Sequence, residues 1–143
     1  MPTGEFPMGK RIDHIAIVVQ DLDVALGVYR DLLGLQLERV EEVPAENVKV
    51  AFLALPEGDG EIELVQPTAD DTGIARFLAK RGEGMHHICF EVDDIEAAMA
   101  TITASELQFL EDKPRVGSQG RKYVFIHPKT AHGVLIELYE RPK

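Results

Sequence analysis

A chain of 143 residues, 45% hydrophobic and 28% charged, has the make-up of a soluble globular protein with one ordinary core. Its 15 basic against 25 acidic residues leave a net charge of −10 with no basic cluster. That excludes nucleic acid and acidic membrane as partners, and it requires a metal or local positive groups to hold any anionic ligand.

No apolar run approaches the roughly 18 residues of a membrane span. The single cysteine, Cys89, rules out an internal disulfide and fits a reducing compartment, the cytoplasm. Its neighbours Ile88 and Phe90 mark it as a buried small hydrophobe.

Residues 1–10 read as a loose lead-in. "IDHIAIVV" is β-branched and apolar, a strand. "DLDVALGVYRDLLG" then reads as a helix, with Asp21 as its N-cap and Gly34 as its stop. Leu22, Ala25, Tyr29 and Leu32/Leu33 would form its apolar face. Three more strands follow, around residues 35–43, 48–55 and 61–65, with a hairpin turn at "PEGDGE". "DDTGIARFLAKRGEG" is a linking helix over about 70–82. The second half opens on a strand over residues 86–92 and a helix capped by Asp94. Strands near 108–111, 122–126 and 133–139 complete it.

The two halves are a repeat. "IDHIAIVVQDLDVA" aligns with "MHHICFEVDDIEAA", setting His14 on His87, Val19 on Val92 and Asp21 on Asp94. "EIELVQP" aligns with "LIELYER", setting Glu63 on Glu137 with one residue of slippage. The order of both halves is β-α-β-β-β, an α+β fold of two tandem βαβββ modules, over about 11–67 and 85–140, in a single domain over 11–143.

Strand alternation sorts the side chains. Ile15, Ile17 and Val19 oppose His14, Ile62 and Leu64 oppose Glu63, and Ile136 and Leu138 oppose Glu137. The apolar faces should pack on helices. If the two sheets share a groove, two histidines and two glutamates converge there. Imidazoles and carboxylates suit a divalent ion such as Co²⁺, Ni²⁺, Zn²⁺ or Mn²⁺, and four ligands on an octahedral ion leave two positions for substrate oxygens. Alternation admits only one of His86 and His87 to such a site, and the repeat selects His87.

These stretches, with "VKVAFL", "FLAKRGEGMHHICFEVDDI" and "FIHPKTAHGVLIELYE", resemble the vicinal-oxygen-chelate superfamily of glyoxalases, extradiol dioxygenases and epimerases. Within it, the closer resemblance is to methylmalonyl-CoA epimerases. The resemblance implies His14, Glu63, His87 and Glu137 as metal ligands, cobalt as the metal, a homodimer, and interconversion of (2R)- and (2S)-methylmalonyl-CoA through an enolate. It implies Glu137 as one acid/base. A second family glutamate matches Lys49, which leaves the second base open: Glu63 is a candidate for it, and Lys49 is either a ligand of the substrate carboxylate or a solvated strand lysine. Ser118, Gln119, Gly120 and Arg121 resemble the family's substrate loop, with Arg121 or Lys122 toward CoA phosphates. His127 and His132 receive no ligand role. Two other readings stay open: a glyoxalase-type isomerase or lyase on another small chelating substrate, and a metal-free binding protein of the same fold. The second predicts missing ligands, whereas all four are present.

Overall fold

The computed structural model describes residues 11–55, 58, 60–117 and 120–141. The expected lead-in at 1–10 lies outside them. The chain divides into two compact units. The first spans residues 14–86; the second spans residues 87 onward together with the first residues of the opening strand.

In the first unit, strand β1 (Arg11–Val18) leads into helix α1 (Leu22–Leu26). β2 (Gln36–Val43), β3 (Val48–Ala54) and β4 (Glu61–Pro67) follow, and then helix α2 (Gly73–Arg81). The strand order is β2-β3-β4-β1: β4 lies parallel to β1 and antiparallel to β3, and β3 is antiparallel to β2. The second unit repeats this with β5 (Gly84–Val92), α3 (Ile95–Thr103), β6 (Arg115–Val116), β7 (Lys122–Ile126) and β8 (Ile136–Glu140), in the order β5-β8-β7-β6. β5 and β8 are parallel, and β7 is antiparallel to both its neighbours.

Each unit starts its helix with the same device. Asp21 accepts hydrogen bonds from the Asp23 and Val24 amides at 2.9 and 3.2 Å, and Asp94 accepts one from the Ala97 amide at 3.0 Å. These satisfy amides that the first helical turn leaves without partners. The first amide of each helix goes to the unit's last strand. Leu22 donates to the Gln66 side chain at 2.7 Å, and Ile95 donates to Glu140 at 3.0 Å. Gln66 stands three residues after Glu63 and Glu140 three after Glu137, so the repeat extends to this helix–strand tie.

One core fills the helix side of each unit. In the first, Val19, Leu22, Leu26, Ala51, Leu53 and Leu64 are buried together, with Ile17, Ala25, Tyr29 and Ile62 packed against them. In the second, Val92, Ile95, Ala98, Met99, Ile102, Val124, Ile126 and Leu138 form the equivalent cluster. The first unit also buries its opposite face: Ala16, Val48, Val50 and Val65 pack with Ile74 of α2.

Two expectations need correction. The helix after Asp21 is α-helical only to Leu26, and Gly27–Leu32 is a π-helical stretch with Leu33 donating to the Val28 carbonyl at 2.9 Å. The wider turn breaks the 3.6-residue phase. Leu32 and Leu33 are therefore 82% and 62% exposed instead of facing the core. The strand expected near 108–111 is reduced to one bridge, Phe109 to Ile126.

Replacing Leu64, fully buried in the first core, by alanine should cost about 3 kcal/mol in denaturant unfolding. Leu32→Ala should change stability by less than about 0.5 kcal/mol. Equal losses would restore the regular helix read from the sequence.

Candidate functional site

Parallel pairing of β1 with β4 sets Ala16 beside Glu63, and pairing of β5 with β8 sets Cys89 beside Glu137. In each unit the histidine lies two residues before that partner, on the same face of its strand. His14 Nδ1 lies 3.2 Å from Glu63 Oε2 in the first unit, and His87 Nε2 lies 3.0 Å from Glu137 Oε1 in the second. The side chains keep only 7% and 17% of their surface in the first pair, and 14% and 11% in the second. Burial at this level is costly for polar groups unless they are paired or coordinate a cation.

Both pairs fit metal ligation. Imidazole nitrogens and carboxylate oxygens bind divalent ions at about 2.1 Å, which places adjacent octahedral ligand atoms about 3.0 Å apart. Each unit thus presents one nitrogen and one oxygen at the spacing of neighbouring ligands.

The neighbouring histidine is elsewhere. The His86 ring meets Phe77 of α2 edge-on, with centroids 5.0 Å apart. His127 accepts a hydrogen bond from the Lys129 amide in a 3₁₀ turn, and His132 sits in a loop with a positive φ of 58°.

Lys49 is on the wrong face for the expected substrate contact. It pairs with Gln66, whose side chain binds the start of α1, and it alternates with Val48 and Val50. The β3 residues on the Glu63 face are Val48, Val50 and Phe52, so β3 supplies no second carboxylate there.

Arg121 is turned into its own unit. Its Nε donates to the Glu140 carbonyl at 3.0 Å, and its guanidinium lies 3.6 Å over the Tyr139 ring. Nη2 stands 3.8 Å from Glu91, which Arg11 also approaches at 3.4 Å. Nη2 is buried and makes no hydrogen bond. This guanidinium is a brace between β5 and β8, not a group presented to a CoA phosphate. Lys122 is likewise engaged, donating to Glu96 at 2.6 Å. Gly120, with φ of 73°, donates its amide to the Gly117 carbonyl at 3.2 Å, closing the β6–β7 hairpin. Ser118 and Gln119 lie outside the described residues.

Sequence reasoning passed over an aromatic row on the His87 face. Phe125 is the cross-strand partner of Glu137, and its ring meets His87 edge-on with centroids 5.5 Å apart. Tyr123 continues the row against both Phe125 and Tyr139. The signal was in the repeat: Phe52 opposes Glu63 in the same way.

Residues 13–125 match the model of the glyoxalase/bleomycin resistance protein/dioxygenase superfamily. The chain belongs to that superfamily. Methylmalonyl-CoA epimerases are among its relatives. It is 40% identical over 129 residues to mouse mitochondrial methylmalonyl-CoA epimerase, covering 90% of this chain and 71% of the relative. It is similar to the solved methylmalonyl-CoA epimerase of Mycobacterium tuberculosis, with TM-score 0.85, 34% identity, and coverage of 100% of this chain and 93% of that one. A further solved methylmalonyl-CoA epimerase, in complex with methylmalonyl-CoA and NH4+, superposes with TM-score 0.80 at 38% identity, covering 92% and 94% of the two chains.

Burial raises the Tyr139 pKa above its ordinary value of 10.0; Arg121 opposes this, while Glu137, Asp13 and Cys89 add to it. A raised folded-state pKa means stability that is complete below the unfolded value and lost as pH rises through the folded one. Ultraviolet titration should show a tyrosinate step above pH 10 that disappears in Tyr139→Phe. The same variant should lose less stability than wild type as pH rises above 10. An unchanged late step would contradict this environment for the phenol.

Proposed function

We propose that this chain is a methylmalonyl-CoA epimerase that uses a divalent ion, cobalt foremost, held by His14, Glu63, His87 and Glu137. The observation that carries the reading is the same largely buried histidine–glutamate pair, at ligand spacing, in each unit. The epimerase relatives over nine-tenths of the chain support the substrate. A bound divalent ion would supply Lewis-acid stabilisation of the negative charge that develops on the thioester oxygen.

The chain's own residues do the proton chemistry. The acidic hydrogen of the substrate sits between a thioester and a carboxylate. Glu137 takes it, leaving a planar enolate, and a second group returns a proton to the other face. With Lys49 on the opposite side of its sheet and valine at the β3 positions flanking it, Glu63 is the carboxylate left for that role. It occupies in the first unit the place Glu137 has in the second. The ring of Phe125 beside His87 and the low exposure of all four groups keep water from competing for the enolate. The working assembly is a homodimer in a reducing, cytoplasmic setting.

Methylmalonyl-CoA in D2O with the Co²⁺-reconstituted protein should exchange its α-hydrogen and epimerise together. Glu137→Gln should slow both by at least about a hundredfold. His87→Ala should lose the bound metal, while His86→Ala should keep it. No metal-dependent exchange by wild type, or a fully active Glu137→Gln, would sink the proposal. Metal binding without exchange would instead favour an isomerase or lyase of another small chelating substrate.

A further inference from the structure

We infer that Phe125 is a positioning residue: it fixes the ring of His87, and with it the His87–Glu137 pair. The inference rests on the metal-dependent reading above. It starts from a geometric problem. A histidine on a strand can turn about two torsions, and a contact at one ring nitrogen does not by itself set the plane of the ring. His87 touches Glu137 at 3.0 Å through Nε2. Phe125 constrains that plane, meeting the imidazole at an interplanar angle of 85° and a centroid separation of 5.5 Å. A T-shaped contact at this distance is the favoured aromatic geometry, and it ties ring orientation to a second strand.

Phe125 reaches both members of the pair. It lies directly across the β7–β8 ladder from Glu137, where cross-strand side chains are nearest neighbours. Its own ring is held in turn, because Tyr123 meets it edge-on at 6.1 Å and at an interplanar angle of 86°. Tyr123 is hemmed by Gly117, where an added Cβ would come within 3.3 Å of the Tyr123 ring, and by Tyr139 at 6.5 Å. A row of rings thus runs from the β6–β7 hairpin to His87, along the face opposite the second unit's core. Val124 and Ile126, on either side of Phe125, belong to that core, so Phe125 is not one of its members. Its apolar bulk on the polar face needs a reason, and holding His87 supplies it. Outer-shell partners that orient metal-binding histidines change metal affinity and activity by about 10–100-fold.

The test compares Phe125→Leu and Phe125→Met with Phe90→Leu. Phe90 packs against the opposite, helix-side core, so its loss controls for general loosening of the unit. Thermal unfolding identifies the folded variants, and Phe125→Met, which retains length without a ring, serves if Phe125→Leu does not fold. In the metal-free protein, the His87 ring resonances, assigned with His87→Ala, should shift and broaden in the Phe125 variants and stay in place in Phe90→Leu. Co²⁺ affinity should fall about tenfold and kcat by at least that factor, with KM within about twofold. Unmoved His87 resonances together with wild-type Co²⁺ affinity in the Phe125 variants would overturn the inference. Wild type that binds no Co²⁺ would instead overturn the metal-dependent reading, and the metal-free resonances would still decide what Phe125 does to His87.

Discussion

Strand alternation under one buried face is the constraint on which the rest of the structure depends. In each unit the helix packs on one side of a mixed sheet and demands apolar residues there at every second position. The histidine and the glutamate occupy the alternate positions of the two parallel strands, so burial of the helix face fixes where they point. A slip of one residue would send His87 and Glu137 into the core and Leu138 out of it. The tie from each helix's first amide to Gln66 or Glu140 guards against that slip, because it joins the helix start to the strand that carries the glutamate.

The two units keep the pair and differ in what surrounds it. Beyond His14 and Glu63 the first unit's face is apolar and covered by Ile74 of α2. Beyond His87 and Glu137 the second unit's face is aromatic and charged, with Phe125, Tyr123 and Tyr139 leading to the Arg121–Glu91–Arg11 cluster. Arg121 illustrates the cost of that second flank. One of its nitrogens is buried without a hydrogen bond, and the Tyr139 ring and the Glu91 carboxylate offset this through cation–π and ionic attraction.

Much of this was legible in the residues. β-branched alternation around "IDHIAIVV" and "EIELV", the capping aspartates Asp21 and Asp94, and the internal repeat gave the elements and chose His87 over His86. What was not legible depends on information outside the local pattern. The π-helical stretch carries a sequence that an ordinary helix would also accept, so nothing in "GVYRDLL" announced that Leu32 and Leu33 would face solvent. Lys49 was assigned by position in a motif, whereas its face is set by the register of β3 against β4. Phe125 is easily passed over, despite its counterpart Phe52 in the repeat, because a phenylalanine in a strand reads as core until its neighbours Val124 and Ile126 are seen to hold the core face.

The claim that both histidine–glutamate pairs serve one ion is tested most directly by X-ray absorption at the cobalt edge of Co²⁺-loaded protein. The account predicts one ion per chain in a six-coordinate nitrogen and oxygen shell containing two imidazoles, with one imidazole lost in His14→Ala. A shell with a single imidazole in wild type, or with sulfur from Cys89, would contradict it.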